Sequence, residues 1–202
     1  MKIELHCHTS RYSACAVNTP EEVLAEAVRL GYHAVFLTEH DALWPEEHLG
    51  ELEAAFPDIR VFGGVELTLP AGEHLLVLGT SDPEYLELST RPSELLSKAR
   101  NENRLTILAH PCRWSGRDEM LRSGLRPDAI EYRTGNQQGD AAKDARNLAM
   151  ELSLPIVNAG DVHALEMMGQ HWIETHDPIR SDDDIRPAIV GVNYRLRSRM
   201  EP

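Results

Sequence analysis

Residues 2–40 read KIELHCHTSRYSACAVNTPEEVLAEAVRLGYHAVFLTEH, and one strand–helix–strand unit accounts for them. Lys2–Leu5 is a short strand-like run. Thr19–Leu30 is a helix: Thr19 caps it, Pro20 takes the first position, Glu22 completes a capping box, and Gly31 ends it. Ala34–Thr38 is a buried, apolar strand. A strand, a crossover helix and a second strand place the two strands parallel in one sheet.

The rest of the chain repeats the unit. Val61–Glu66 is a strand, and Pro70–Glu73 turns it back into His74–Gly79. Leu105–Ala109, Ala129–Tyr132 and Pro155–Ala159 are further strands. Pro45–Phe56, Pro92–Asn103, Glu119–Ser123, Asp140–Leu152 and the capped, aspartate-rich Ser181–Ile189 are helical. The pattern is that of an α/β fold with a largely parallel sheet of about seven strands. A barrel or distorted barrel is expected, with an open doubly wound sheet as the alternative. No GxGxxG follows a strand and no GxxxxGK[ST] is present, which removes support for nucleotide-binding folds.

Composition narrows the class. The 202 residues are 42% hydrophobic and 26% charged, as in a soluble globular protein, and fit one domain over 1–202. No run of about 18 apolar residues could span a membrane. The first residues lack a secretory h-region, so a cytoplasmic protein without membrane association is expected. The three cysteines, Cys7, Cys15 and Cys112, are too few and oddly spaced for a disulfide framework. A net charge of −13 disfavours long nucleic acid but leaves room for a small anion in a local positive pocket.

Histidine placement carries the functional reading. His6 and His8 close the first strand, His40 the second (AVFLTEHD), Glu66 the third (VFGGVE) and His110 a later one (LTILAHP), while Asp161 and His163 follow PIVNAGDVH. Functional groups of parallel α/β sheets gather at the carboxyl ends of strands. Residues i and i+2 of an extended segment face one side, so His6 and His8 can share an ion, and Asp161 and His163 have the same spacing. Imidazole with carboxylate suits zinc, iron or manganese. Each residue alone has an ordinary structural reading. Jointly that reading needs seven ligand-type residues to reach one edge by chance. His74 opens the return strand, which either brings it back near Glu66 or leaves it outside. His33, His48, His171 and His176 read as solvated or structural.

In order, LHCHTS, LTEHD, GVE with EHLLVLG, LAHP and GDVH resemble the motifs of the PHP (polymerase and histidinol phosphatase) family, from residue 5 to residue 163. The resemblance implies a distorted (β/α)7 barrel holding two or three divalent metal ions at the carboxyl ends of its strands. It implies one ion on His6, His8, Glu66 and Asp161, a second on Glu66, His74 and His110, and a third on His40, His163 and a residue of the loop after His8. That loop, SRYSACAVN, departs from the family by lacking an acid or imidazole. Cys15 is its one strong ligand type, and its other reading is a small buried residue. Glu39 stands where the family more often has aspartate, and Asp41 is placed as a partner for a ligating histidine.

Clustered divalent ions suit phosphate-ester hydrolysis by a metal-bound hydroxide. Arg113 follows LAHP, Arg133 follows Ala129–Tyr132, and Arg11 lies in the loop after His8; guanidinium groups match phosphate oxygens. Asn136 is a further candidate for substrate contact. The expected activity is a metal-dependent phosphoesterase acting on a small phosphorylated metabolite or nucleotide. The alternatives are a metal-dependent hydrolase of another bond, such as an amide, and a non-catalytic metal-binding module. No attached polymerase is expected, and the sequence says nothing of oligomeric state.

Overall fold

The computed structural model describes residues 1–114 and 119–199. One mixed sheet organises them. Its strands are β1 (Lys2–Cys7), β2 (Ala34–His40), β3 (Arg60–Thr68), β4 (His74–Leu78), β5 (Leu105–Ala109), β6 (Ala129–Arg133), β7 (Ile156–Asn158), β8 (His171–Thr175) and β9 (Tyr194–Ser198). The helices are α1 (Pro20–Arg29), α2 (Glu46–Ala55), α3 (Glu84–Leu88), α4 (Pro92–Asn101), α5 (Glu119–Arg122), α6 (Gly139–Leu152) and α7 (Ile185–Val190). The strand order is β7-β6-β5-β4-β3-β2-β1-β8-β9. No helix among the described residues is long and apolar enough to cross a membrane.

The capping box forms as its residue types dictate. Thr19 Oγ1 accepts from Glu22 N at 3.3 Å, and Glu22 Oε2 accepts from Thr19 N at 2.9 Å. Val23, Leu24 and Ala27 of α1 then pack against Val35 and Leu37 on the outer face of β2. Leu95, Leu96 and Ala99 of α4 cover Val65 and Val77 of β3 and β4 in the same way. The inner face holds Ile3, Ala34, Phe36, Phe62, Leu76, Ile107 and Val157, sealed by Ile185 and Ile189 of α7. Alternate residues of each strand therefore serve two cores, one inside the sheet and one beneath the helices.

The sheet curls into a nearly closed barrel. Side chains bridge its two edge strands: Asn158 Nδ2 donates to the Arg197 carbonyl at 2.9 Å, and the Tyr194 hydroxyl donates to the Ile156 carbonyl at 2.7 Å. The distorted α/β barrel expected from the sequence is the fold observed. Its sheet is less parallel than the pattern suggested. β1-β2, β2-β3, β5-β6 and β6-β7 are parallel, but β3-β4, β4-β5, β1-β8 and β8-β9 are antiparallel. The hairpin reverses β4, and the unforeseen β8 and β9 return along the edge of β1.

Closure through Tyr194 has a measurable weight. Tyr194→Phe removes the donor and leaves the Ile156 carbonyl unmatched at that edge. Urea unfolding is expected to show a loss of about 1 kcal/mol. An unchanged midpoint would mean that packing alone closes the barrel.

Candidate metal centre

Inner-row parity delivers the site residues. His40 follows Ala34 and Phe36 on the inner row of β2, Glu66 follows Phe62 on β3, and His74 precedes Leu76 and Leu78 on β4. Because β4 runs antiparallel, its first residue lies at the edge where β3 ends: Thr68 pairs with His74 and Glu66 with Leu76.

β1 obeys this parity only by breaking step. Ile3 and Leu5 face the inner core, so strict alternation would bring Cys7 inward and send His6 and His8 out. The register against β2 shifts between Glu4 and Cys7. Cys7 then packs outward with Val35 and Leu37, while both imidazoles turn in. Glu4 satisfies the irregular segment: its Oε1 accepts from Leu5 N and His6 N, each at 3.1 Å, and from Gly160 N at 2.6 Å. Burial pushes the Glu4 carboxyl up to about 7, against the pull of those N–H groups. Three non-glycine residues at strand ends also adopt left-handed backbone: Asp41 (φ 47°), His110 (φ 29°) and Asp161 (φ 49°).

Glu66 is the hub. Its Oε2 lies 3.1 Å from His6 Nε2, 3.1 Å from His8 Nε2 and 3.0 Å from His40 Nδ1. Its Oε1 lies 2.8 Å from His74 Nδ1 and 2.9 Å from His110 Nε2. Asp161 Oδ1 is 3.4 Å from His6 Nε2, 3.6 Å from His8 Nε2 and 3.4 Å from His163 Nδ1. Burial pushes Glu66 and Asp161 up, but the imidazoles, His6 foremost, outweigh it and hold both below the usual carboxylate range. Burial depresses His6, and Glu66, Glu131 and Asp161 overcome it, raising His6 well above an ordinary histidine.

The donor set fits divalent cations. Glu66 Oε2 and Asp161 Oδ1 are buried and accept no hydrogen bond, although ring nitrogens crowd them. His6 Nε2 and His8 Nε2 face each other at 2.9 Å. Ring nitrogens and carboxylate oxygens packed this closely converge where a divalent cation would be held. Among the described residues, three groups are able to hold an ion: His6–Glu66–His110–Asp161, His40–Glu66–His74 and His8–His40–His163. Within each, one donor atom per residue lies within 4.8 Å of the others.

These groups gather eight of the residues singled out in the sequence, His74 included. Cys15 is exposed and belongs to none of them. The loop instead sends in Ser13, whose Oγ donates to Glu39 Oε2 at 2.5 Å and lies 3.3 Å from His8 Nδ1. Glu39 is buried and also accepts from Thr9 N, Thr9 Oγ1 and Trp44 Nε1. The expectation for Asp41 is corrected. Its carboxylate accepts from Thr68 N and Thr68 Oγ1, both at 2.8 Å, because its left-handed backbone turns it toward β3 rather than toward a histidine.

Arg113 Nη1 lies 3.7 Å from Asp161 Oδ2, with the guanidinium 4.4 Å over Trp114, whose ring meets His74 and His110 edge-on. Asn136 Nδ2 donates to Asp161 Oδ2 at 2.7 Å. Arg133 ends β6 over Tyr132, and Arg11 lies over Tyr12 beside a surface groove with Trp44 and His48. His33, His48, His171 and His176 join none of the ion-holding groups. The sequence reading missed Glu131, a buried carboxylate on β6. Its Oε1 is 2.8 Å from His6 Nδ1, and its Oε2 accepts from His110 N at 2.8 Å.

Comparison with known proteins gives three likenesses. A family model described as PHP-associated, PHP_C, matches residues 139–190. The error-prone DNA polymerase of Mycobacterium bovis is 38% identical over 96 residues, 43% of this chain and 9% of the polymerase. The chain thus spans under a tenth of the length of that curated relative. A two-domain protein from Bacteroides vulgatus, containing a predicted PHP-like metal-dependent phosphoesterase, aligns with TM-score 0.75 at 18% identity, over 98% of this chain and 64% of that one. An amidohydrolase from Chromobacterium violaceum aligns with TM-score 0.64 at 17% identity, over the whole of both chains. The two solved structures share this fold, and the likenesses together bear out the resemblance to the PHP family.

If these groups hold ions, the folded state gains stability by mass action. Saturating metal-stripped protein with Mn²⁺ or Zn²⁺ at about 100 times Kd is expected to add about 2.7 kcal/mol. That is a Tm rise on the order of 5–10 °C for a chain of this size. Glu66→Gln is expected to lose most of the rise. An equal rise in the variant would place the ions elsewhere.

Proposed function

We propose that this chain is a PHP-like domain and that residues 1–202 form a metal-dependent phosphoesterase acting on a small phosphorylated metabolite or nucleotide. The observation that supports this reading best is the buried convergence of imidazoles on Glu66 and Asp161, whose facing oxygens accept no hydrogen bond. His6, His8, Glu66 and Asp161, with His40, His74, His110 and His163, would hold two or three Mn, Fe or Zn ions. Such ions supply an activated water near neutral pH and neutralise charge on a phosphoryl group.

The chain's own groups do the rest. Arg113, about one-third exposed, leans on Asp161 from outside and is free to turn its fork toward a phosphate. Asn136 steadies the Asp161 carboxylate. Arg133 and Arg11 are further cations for the substrate. Burial of His6, His8, Glu66, His110 and Asp161 strengthens each charge interaction among them. The net charge of −13 favours a small substrate over long nucleic acid. Three free cysteines agree with a reducing, cytoplasmic setting.

The test is phosphate release from metal-stripped, Mn²⁺-reloaded protein over a panel of sugar, amino-alcohol and nucleotide phosphates. Release is expected, and Asp161→Asn is expected to abolish it. Arg113→Ala is expected to lower kcat/KM by about 10- to 100-fold, the weight of a charge-assisted hydrogen bond. Metal-loaded protein that releases no phosphate would direct attention to another scissile bond, such as an amide, or to a binding role.

A further inference from the structure

We propose that Glu131 is a positioning residue that sets two ligands of the buried His6–Glu66–His110–Asp161 group at once. The proposal rests on the metal-centre reading above.

Glu131 sits on the inner row of β6 and is fully buried. It belongs to none of the ion-holding groups, so both carboxylate oxygens are available for other work. Oε1 lies 2.8 Å from His6 Nδ1. A carboxylate there only accepts, so Nδ1 carries the hydrogen. Nε2, which faces Glu66 and Asp161 at 3.1 and 3.4 Å, is then the nitrogen that would give up its proton to hold an ion. Glu131 thereby selects the His6 tautomer that ligates.

Oε2 acts on the backbone. It accepts from His110 N at 2.8 Å, where His110 has φ 29°. A non-glycine residue in the left-handed region persists only where its surroundings hold it. Beyond this bend the ring reaches Glu66 with Nε2 at 2.9 Å. A charged acceptor on His110 N therefore opposes relaxation of the bend that aims the ligand. Among the described residues His8 Nδ1 has no carboxylate partner and faces the Ser13 hydroxyl at 3.3 Å.

Glu131→Gln tests this without changing size. The amide has one acceptor oxygen for two donors. Turned one way it leaves His110 N unmatched. Turned the other it donates to His6 Nδ1 and moves the ring hydrogen to Nε2, where the lone pair is needed. Zn²⁺ affinity of metal-stripped protein, measured by chelator competition, is expected to fall about 10- to 100-fold. The metal-free melt is expected to stay cooperative. Glu131→Asp restores two acceptor oxygens on a shorter arm and is expected to recover part of the loss. A folded Glu131→Gln that binds within about twofold of the parent overturns the proposal, as does an Asp variant that binds no better than Gln. Should the Gln variant not fold, the Asp variant is titrated alone. Loss beyond twofold with a cooperative melt supports the proposal, and parental affinity overturns it. A parent that binds no Zn²⁺ overturns the metal-centre reading and this role with it. A parent that binds Zn²⁺ but releases no phosphate removes only the phosphoesterase reading.

Discussion

The centre depends on a change of face within β1. A regular strand cannot present Ile3 and Leu5 to the inner core and then His6 and His8 to the same side. The register slip between Glu4 and Cys7 solves this, at the cost of N–H groups that the ladder no longer serves. Glu4 takes two of them and reaches across to Gly160 on the opposite arm of the site. There is no slack at that crossing: a Cβ on Gly160 would come within 2.4 Å of Val162 Cγ2 and 2.8 Å of Glu4 Oε2. The first strand and the Asp161 loop are thus fitted to each other before any ion is considered.

Charge within the centre is balanced locally. Glu66, Asp161 and Glu131 are buried carboxylates, and each would be costly alone. His6 and His8, both shifted toward the protonated form despite burial, supply the opposite charge. A divalent cation would take over that role by displacing protons from the same nitrogens, so binding and proton release are coupled. The arrangement keeps the ligands together in either state, because the carboxylates always have a positive neighbour.

Much of the centre was legible in the sequence because ligand-type residues stood at strand ends with spacing that the β period interprets. HxH, DxH and the strand-terminal His40, Glu66 and His110 needed only that rule. Glu131 was not legible, because an acid inside AIEYR reads as an ordinary outward residue until the barrel closes around it. Asp41 was misread because a backbone at φ 47° redirects a side chain in a way that no periodicity reports. Cys15 drew attention by its chemistry, yet the loop turns Ser13 inward instead. β8 and β9 were missed for a different reason. HWIET and YRLRS alternate as strands do, but their arginines and histidine masked the pattern, and their pairing with β1 is distant in sequence.

The reversal of β4 has a consequence for how this architecture can diversify. Glu66 and His74 are ligand-type residues on two arms of one hairpin, and five paired positions from Gly64–Leu78 to Thr68–His74 fix their separation. The turn between them, with Pro70 and Ala71 exposed, lies outside those five pairs. It also stands at the rim where the ion-holding groups open. Insertions there would lengthen the wall of the cleft and leave the ligand frame undisturbed. The hairpin separates what must stay constant from what is free to drift: a rigid ladder carries the chemistry, and an extensible tip beside it is available for recognition of new molecules.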